Sequence, residues 1–120
     1  MVSAVGRIKK RDGTISDFNQ DKITNAIHKA MKSEGITDMA VAKTASDIVC
    51  FMIEEKFGGY TIPSVEQIQD IVEMVLMKQG YHEVAKSYIL YREKHKCIRE
   101  AKKIGINLER LVKDYLSNAD

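Results

Sequence analysis

Residues 8–23 of this chain read IKKRDGTISDFNQDKI, and this stretch decides the N-terminal part of the fold. Asp12-Gly13 tolerates the positive φ angles of a type I′ turn and lies between two short runs that contain β-prone apolar residues. The pattern therefore predicts a β-hairpin. Because residues 9–11 are Lys-Lys-Arg, the hairpin gathers three cations at one end, which indicates a binding site for a polyanion.

The hairpin leads directly into a first helix that begins near Asn19. The Asn19 side chain is suited to accept a hydrogen bond from a free N–H of the first turn, and Asp21 is favourable in the positive field at that end. Apolar residues recur at helical spacing as far as Ser33, and Gly35 supplies a stop. This geometry places Lys22 one turn from the base of the hairpin.

Two further helices are marked by their caps. Thr37 or Asp38 caps a second helix that extends to about Lys56 and carries a broad apolar stripe. Ser64 and Gln67 match a capping box at the start of a third helix. The loops between the predicted helices are short, which implies that neighbouring helices are antiparallel.

A fourth helix is predicted over residues 81–96, and a further helical pattern lies at 108–116 in the last segment of the chain. Residues 60–62, Tyr-Thr-Ile, are β-prone and offer a third strand to the hairpin, which alone would be marginally stable. The sequence thus predicts an α+β, mainly α fold. We expect a four-helix bundle covered by a small N-terminal β-hairpin of two or three strands, plus a C-terminal helical extension.

The size and composition of the chain limit its possible functions. With 120 residues, of which 44% are hydrophobic, it has the length of one compact domain with a real core. Its net charge of +2 gives no support for general DNA binding. No apolar run approaches the roughly 18–20 residues that span a bilayer, and Cys50 and Cys97 lack paired spacing. A soluble protein in a reduced, cytoplasmic setting is expected.

Motifs for catalysis and metal binding are absent from the sequence. There is no GxxxxGK(S/T) phosphate loop, no nucleophile motif and no HExxH metal signature. His28, His82 and His95 are scattered over different predicted elements, without carboxylates or cysteines at ligand spacing. We therefore expect neither catalytic residues nor a protein-bound metal in this chain.

The polar and cationic residues also have purely structural explanations. Charged side chains protect the exposed edge of a hairpin from aggregation. The capping role of Asn19 is sufficient to explain that residue. Charged residues on a helix, such as Arg92 and Lys94, usually form a face that is exposed to solvent. Taken singly, none of these residues favours a binding function over a structural one.

Four motifs follow one another along the chain in the order KRDG, FNQDKITNAI, PSVEQIQDIVEMVL and AKSYILYREKH. Together they resemble the ATP-cone, the regulatory nucleotide-binding domain of ribonucleotide reductases, over about residues 4–96. Four motifs in the right order are far more specific than any one alone. The continuation INLERLVKDYLSNAD resembles the segment after the cone in anaerobic reductases. The resemblance implies a nucleotide-binding domain at residues 1–96 and a helical extension or linker toward a catalytic domain at residues 97–120.

The resemblance also implies where a nucleotide binds, between the hairpin as a lid and the helices beneath it. In that arrangement Ile8 packs on the base, Asn19 makes a polar contact, and the cations of the hairpin and first helix neutralise phosphate charge. Val65 and Gln69 line the pocket from the third helix. Of the two cations on the fourth helix, Lys94 is the better positional match for closing the phosphate site. The matching positions are Ile8, Lys10, Arg11, Asn19, Lys22, Val65, Gln69, Arg92 and Lys94.

The function implied by the resemblance is allosteric regulation rather than catalysis. The chain is similar to domains that bind ATP to permit reductase activity and dATP to stop it. They act through a shift between conformational or assembly states. Magnesium would accompany the nucleotide, held mainly by phosphate oxygens and water. The expected partners are the catalytic domain of a reductase or other copies of the same domain. Neither a membrane nor direct nucleic-acid binding is expected.

Two alternative functions remain open. ATP-cones also occur in transcriptional repressors of reductase genes, although the zinc ribbon that binds DNA there is missing from this chain, which has no CxxC. The chain would then resemble the sensor half of such a repressor. The other alternative is a helical protein-interaction module that binds no ligand.

Overall fold

The computed structural model describes residues 6–58 and 61–105. These residues form a two-stranded antiparallel sheet and four helices, which confirms the predicted α+β, mainly α class with an N-terminal hairpin. None of these helices is both long and apolar enough to cross a membrane. In chain order the elements are β1 (Arg7–Lys9), β2 (Ile15–Asp17), α1 (Gln20–Ser33), α2 (Met39–Phe57), α3 (Val65–Lys78) and α4 (His82–Lys103).

The chain divides into two compact units, Met1–Tyr88 and Ile89–Asp120, so that α4 begins in the first unit and ends in the second. α4 extends seven residues beyond the predicted end at Lys96. Since no glycine or proline interrupts the sequence before Gly105, which has a φ of 75°, the helix has no earlier reason to stop. The predicted helical pattern at 108–116 lies outside the described residues.

The hairpin turn differs from the predicted type I′ turn. A type I′ turn needs positive φ at two successive residues, whereas only Gly13 has one here, with φ 89°. The strands are joined instead by residues 10–14, in which the Lys10 N–H donates to Thr14 O at 2.8 Å. The Asp12 carboxylate accepts hydrogen bonds from the Thr14 N–H and hydroxyl, at 3.0 and 2.6 Å. These bonds lower the pKa of Asp12, and the φ angle of Asp12 is not positive.

Of the two alternatives for the hairpin, the described residues form the two-stranded one, because Thr61 and Ile62 join no strand. Tyr60 lies outside the described residues. In place of a strand, the Lys9 N–H donates to Pro63 O at 2.9 Å, and Lys9 forms a single bridge with Ser64. Proline has no N–H to continue a ladder. The backbone of the hairpin edge is therefore joined to the beginning of α3 by this single bridge.

The predicted helix caps are confirmed. The Asn19 Oδ1 accepts from the Asp21 N–H at 2.9 Å, and Asp38 rather than Thr37 caps α2 through the Ala40 N–H. Both hydrogen bonds of the predicted capping box at α3 are present, at 2.9 and 3.1 Å. α1, α2 and α3 therefore each begin where a side chain satisfies a free backbone N–H.

The core of the first unit lies where the apolar stripes of the helices meet. α1 packs on α2, and α2 packs on α3. Ile27, Ile53 and Leu76, one from each of these helices, are completely buried. The first two turns of α4 add three buried residues, and Ile8 and Phe18 anchor the hairpin on this core. The three residues from α4 are Val84, Ala85 and Tyr88.

A polar network joins the first turns of α1 to α2 beside this core. The buried Thr24 hydroxyl donates to Ser46 Oγ at 2.7 Å, and the Gln20 amide donates to both Ser46 and Asp47. The bond from Gln20, followed by that from Lys43, lowers the pKa of Asp47. Within the described ranges no buried side-chain nitrogen or oxygen lacks a partner. The network fixes the beginning of α1, which leads into the candidate site.

Candidate functional site

A cavity of about 200 Å³ lies in the first unit between the hairpin, the beginning of α1 and α3. Its lining joins residues that are far apart in the sequence, because the bridge from Lys9 to the start of α3 brings the hairpin over that helix. Six of the nine positions implied by the resemblance line it. They are Ile8, Lys10, Asn19, Lys22, Val65 and Gln69.

The floor of the cavity is apolar. Ile8 and Phe18 come from the hairpin and are partly buried against the core. Ile23 and Ile68, one from α1 and one from α3, are buried below them. A cavity with an apolar lining and a few polar groups is typical of small-molecule sites. This floor suits a flat, weakly polar group such as a nucleobase.

Positive charge and free donors lie along the same cavity. Lys10 and Lys22 are exposed, and no salt bridge among the described residues engages either one. Both lysines line the cavity, from the hairpin and from the first turn of α1. Asn19 commits its Oδ1 to the cap of α1, which leaves its side-chain N–H groups for a ligand. An anion beside this helix start is also favoured by the helix dipole.

Arg11 is the one predicted hairpin residue that does not line the cavity. Its Nε lies 3.0 Å from Glu66 Oε1, and its Nη2 donates to Gln69 Oε1 at 3.3 Å. Because arginine only donates, Gln69 must present its oxygen to Arg11 and keeps its amide N–H groups for other partners. The structure therefore places Arg11 at the rim of the cavity, in contact with Glu66 and Gln69 of α3.

Arg92 and Lys94 lie on α4 beyond Tyr88, in the second unit. Their part in the site stays a prediction. In the same stretch of helix the rings of Tyr91 and His95 are in contact, with centroids 4.2 Å apart. The described residues contain no group of three or more histidine, cysteine or acidic side chains that could hold a metal ion.

Eight lining residues were not predicted as site residues: Ser16, Asp17, Phe18, Ile23, Ala26, Ile68, Val72 and Tyr88. The sequence contained a signal for Ser16, because Ser16 pairs with Ile8 across the hairpin and directly opposed residues share a face. Phe18 follows by the two-residue period of a strand. The position of Tyr88 depends on how α4 packs, which no local pattern gives.

The size of the cavity limits what it can enclose. Small-molecule sites usually measure about 300–1,000 Å³, and this one measures about 200 Å³. The cavity is therefore smaller than a typical site that encloses a whole small molecule.

Comparison with known proteins gives a family match over most of the chain. A family model described as the ATP cone domain matches residues 6–97. This range includes the hairpin, α1, α2, α3 and most of α4. It also contains every residue of the cavity lining.

The chain is similar to the ribonucleotide reductases of several organisms. It is 45% identical over 105 residues to a vitamin B12-dependent ribonucleoside-diphosphate reductase of Thermoplasma acidophilum, covering 83% of this chain and 13% of that protein. Identity to the ribonucleoside-diphosphate reductase subunit alpha of Chlamydia pneumoniae is 39%, covering 76% of this chain and 9% of the relative. An anaerobic ribonucleoside-triphosphate reductase of Haemophilus influenzae is 35% identical, with 76% and 13% covered. The chain thus spans a small part of each relative.

Proposed function

Because this chain belongs to the ATP cone family, we propose that it is a regulatory domain that binds ATP or dATP and thereby controls a ribonucleotide reductase. The observation that carries the proposal is the cavity, in which an apolar floor lies beside two cations from different elements. A nucleotide matches both features, since its base is flat and weakly polar and its phosphates are anionic.

The proposed orientation follows from the distribution of charge. The base rests on Ile8 and the apolar floor, and the phosphates extend toward Lys10 and Lys22. Lysine acts on phosphate as a mobile point charge, whereas the arginine at the rim can grip phosphate oxygens with two parallel hydrogen bonds. Magnesium is held by phosphate oxygens and water, because it keeps several waters and needs few protein ligands.

Regulation in this proposal comes from binding and not from turnover of the nucleotide. The sequence has no phosphate loop of the GxxxxGK(S/T) type and no nucleophile motif. ATP and dATP differ by one 2′-hydroxyl, and a single hydrogen bond contributes about 0.5–1.5 kcal/mol, or roughly tenfold in affinity at most. The two ligands therefore act by favouring different conformations or assemblies, with the reductase or with further copies of the domain as partners.

The test of the proposal is a calorimetric titration of the 120-residue chain with ATP and with dATP in magnesium, while light scattering follows its size. Both nucleotides are expected to bind, with at least one site per chain. A Lys10→Ala, Lys22→Ala double variant should lose at least tenfold in affinity, because two phosphate-facing charges are removed. Its thermal stability without ligand should stay within a few degrees of the parent, since both side chains are exposed.

A matched control removes two lysines far from the cavity. Lys32 and Lys78 lie in the last turns of α1 and α3, at the opposite ends from the cavity residues. Lys32→Ala, Lys78→Ala has the same net charge as the first double variant and should bind ATP like the parent. Equal losses in the two variants would mean that the chain attracts nucleotides by its general charge, and the proposed site would be wrong.

A further inference from the structure

The Arg11–Glu66 ion pair joins the hairpin to α3 at the rim of the cavity. The Arg11 Nε lies 3.0 Å from Glu66 Oε1, and a second guanidinium nitrogen donates to Gln69 at 3.3 Å. Gln69 lines the cavity and Arg11 does not. Arg11 is therefore directly beside the cavity, and two of its guanidinium nitrogens contact residues of α3.

This pairing opposes the binding of a polyphosphate at the same place. A phosphate gripped by two parallel hydrogen bonds uses two adjacent donors of one guanidinium. Here the Nε donor contacts Glu66. The edge of the guanidinium that contains Nε is therefore already engaged by a carboxylate. The carboxylate also cancels the positive charge of Arg11. Arg11 can serve a phosphate fully only when Glu66 releases it.

The pair is also weak enough to be exchanged. The side chains of Arg11 and Glu66 are 34% and 50% exposed. Ion pairs that are open to water typically contribute only about 0.2–1 kcal/mol, because solvent screens the attraction. A phosphate with two negative charges can therefore replace Glu66, whereas a ligand that does not reach the rim leaves the pair intact.

We propose that Glu66 is an intramolecular competitor for phosphate, which lowers the affinity of the site for every ligand long enough to reach Arg11. The proposal rests on the proposed nucleotide function of the same cavity. Lys10 and Lys22 take the inner phosphates, and Arg11 takes an outer one after it leaves Glu66. Glu66 thus makes the affinity of the site depend on the number of phosphates in the ligand. A monophosphate is unaffected by the pair, whereas a triphosphate must open it.

The test compares the Glu66→Gln variant with the parent, using ATP, inorganic tripolyphosphate and AMP as probes in calorimetric titrations. Glutamine keeps the size of the side chain and removes its charge. ATP and tripolyphosphate should bind Glu66→Gln about two- to fivefold more tightly, as expected for the loss of one exposed ion pair. AMP should bind the two proteins equally. Unchanged or weaker ATP binding in Glu66→Gln would overturn the competition.

A double-mutant cycle separates the pair from the general field of a carboxylate. In an Arg11→Gln background, Glu66→Gln should bring no gain for ATP, because there is no guanidinium left to release. Asp70→Asn removes a neighbouring exposed charge one turn further along α3 and should also bring no gain. A gain that persists without Arg11 would contradict the proposal.

The same titrations distinguish failure of this inference from failure of the proposed function. If the parent binds ATP and Glu66→Gln gives no improvement, the competitor role is wrong and the nucleotide site stands. If neither the parent nor Glu66→Gln binds ATP or tripolyphosphate at millimolar concentration, both proposals are wrong. Circular dichroism of each variant verifies that it is folded before it is titrated.

Discussion

Asn19 connects the start of a helix with the wall of the cavity. Its Oδ1 accepts a hydrogen bond from the Asp21 N–H, and the same side chain lines the cavity. Capping alone explains why asparagine is favourable at this position. Its additional role in binding requires that the amide N–H groups, which the cap does not use, face a ligand. The two roles can be separated because the chain contains another N-cap elsewhere.

We expect Asn19→Ala and Asp38→Ala to lower the free energy of unfolding by similar amounts, about 1 kcal/mol each, because each removes one N-cap. Only Asn19→Ala should also weaken ATP binding, since Asp38 does not line the cavity. Urea denaturation measures the first effect and calorimetric titration the second. If both variants bind ATP equally well, Asn19 has only the capping role.

The two cysteines should differ in reactivity and in their effect on stability at high pH. Burial, followed by the nearby charge of Asp47, raises the pKa of the Cys50 thiol from 9.0 to about 11, whereas Cys97 is exposed. A thiol reagent at pH 8 should modify Cys97 quickly and Cys50 only after unfolding. Since the folded-state pKa is the higher one, the contribution of Cys50 is complete below about pH 9 and is lost as the pH rises toward 11.

A Cys50→Ala variant tests the second half of this prediction. Its stability should fall less steeply between pH 9 and 11 than that of the parent, because the ionising thiol of the unfolded state is gone. Urea denaturation at a series of pH values measures the difference. Identical pH profiles for the two proteins would exclude Cys50 as the cause of any loss in that range.

At the scale of the elements, the hairpin was predictable as an element but its contacts were not. Helix starts depend on a cap and a few following residues, so Asn19, Asp38 and Ser64 identified them from the sequence. The bond from Lys9 to Pro63 and the pair of Arg11 with Glu66 join distant parts of the chain. No local pattern encodes such pairings, and this is why the sequence left the number of strands open between two and three.

In the candidate site, too, individual residues were predictable from the sequence but their contacts were not. The motifs of the resemblance pointed to six residues that line the cavity, since each lies in a short stretch with a recognisable pattern. They did not indicate that Arg11 is tied to α3, because that contact depends on how the hairpin packs. Tyr88 was missed for a similar reason, as its place in the lining follows from the packing of α4.

We expect Gly13→Ala to loosen the hairpin and to weaken ATP binding. Gly13 has a φ of 89°, and no heavy atom lies within 4 Å of an added Cβ, so the cost is purely that of the backbone conformation. An L-residue in the left-handed region loses about 1–2 kcal/mol. Amide hydrogen exchange should become faster at Lys10 and in the strands of the hairpin and stay unchanged in α2. Unchanged hairpin exchange would show that the turn conformation does not limit hairpin stability.

At the scale of the whole molecule, the cavity lies entirely within the first unit, while Arg92 and Lys94 belong to the second. The chain covers only 9–13% of the length of the three reductases compared above. A domain of this kind acts on its parent protein only if nucleotide binding changes how it contacts the rest. Binding at the cavity is therefore the step on which the whole proposal depends.

The most direct measurement of that step is an NMR titration of the ¹⁵N-labelled 120-residue chain with ATP and magnesium. The account predicts saturable shifts at the amides of Ile8, Asn19, Val65 and Gln69, with small changes in the last turns of α1 and α3. The Lys10→Ala, Lys22→Ala variant should need at least tenfold more ATP for the same shifts. Absence of saturable shifts, or shifts confined to residues outside the cavity, would contradict the central claim.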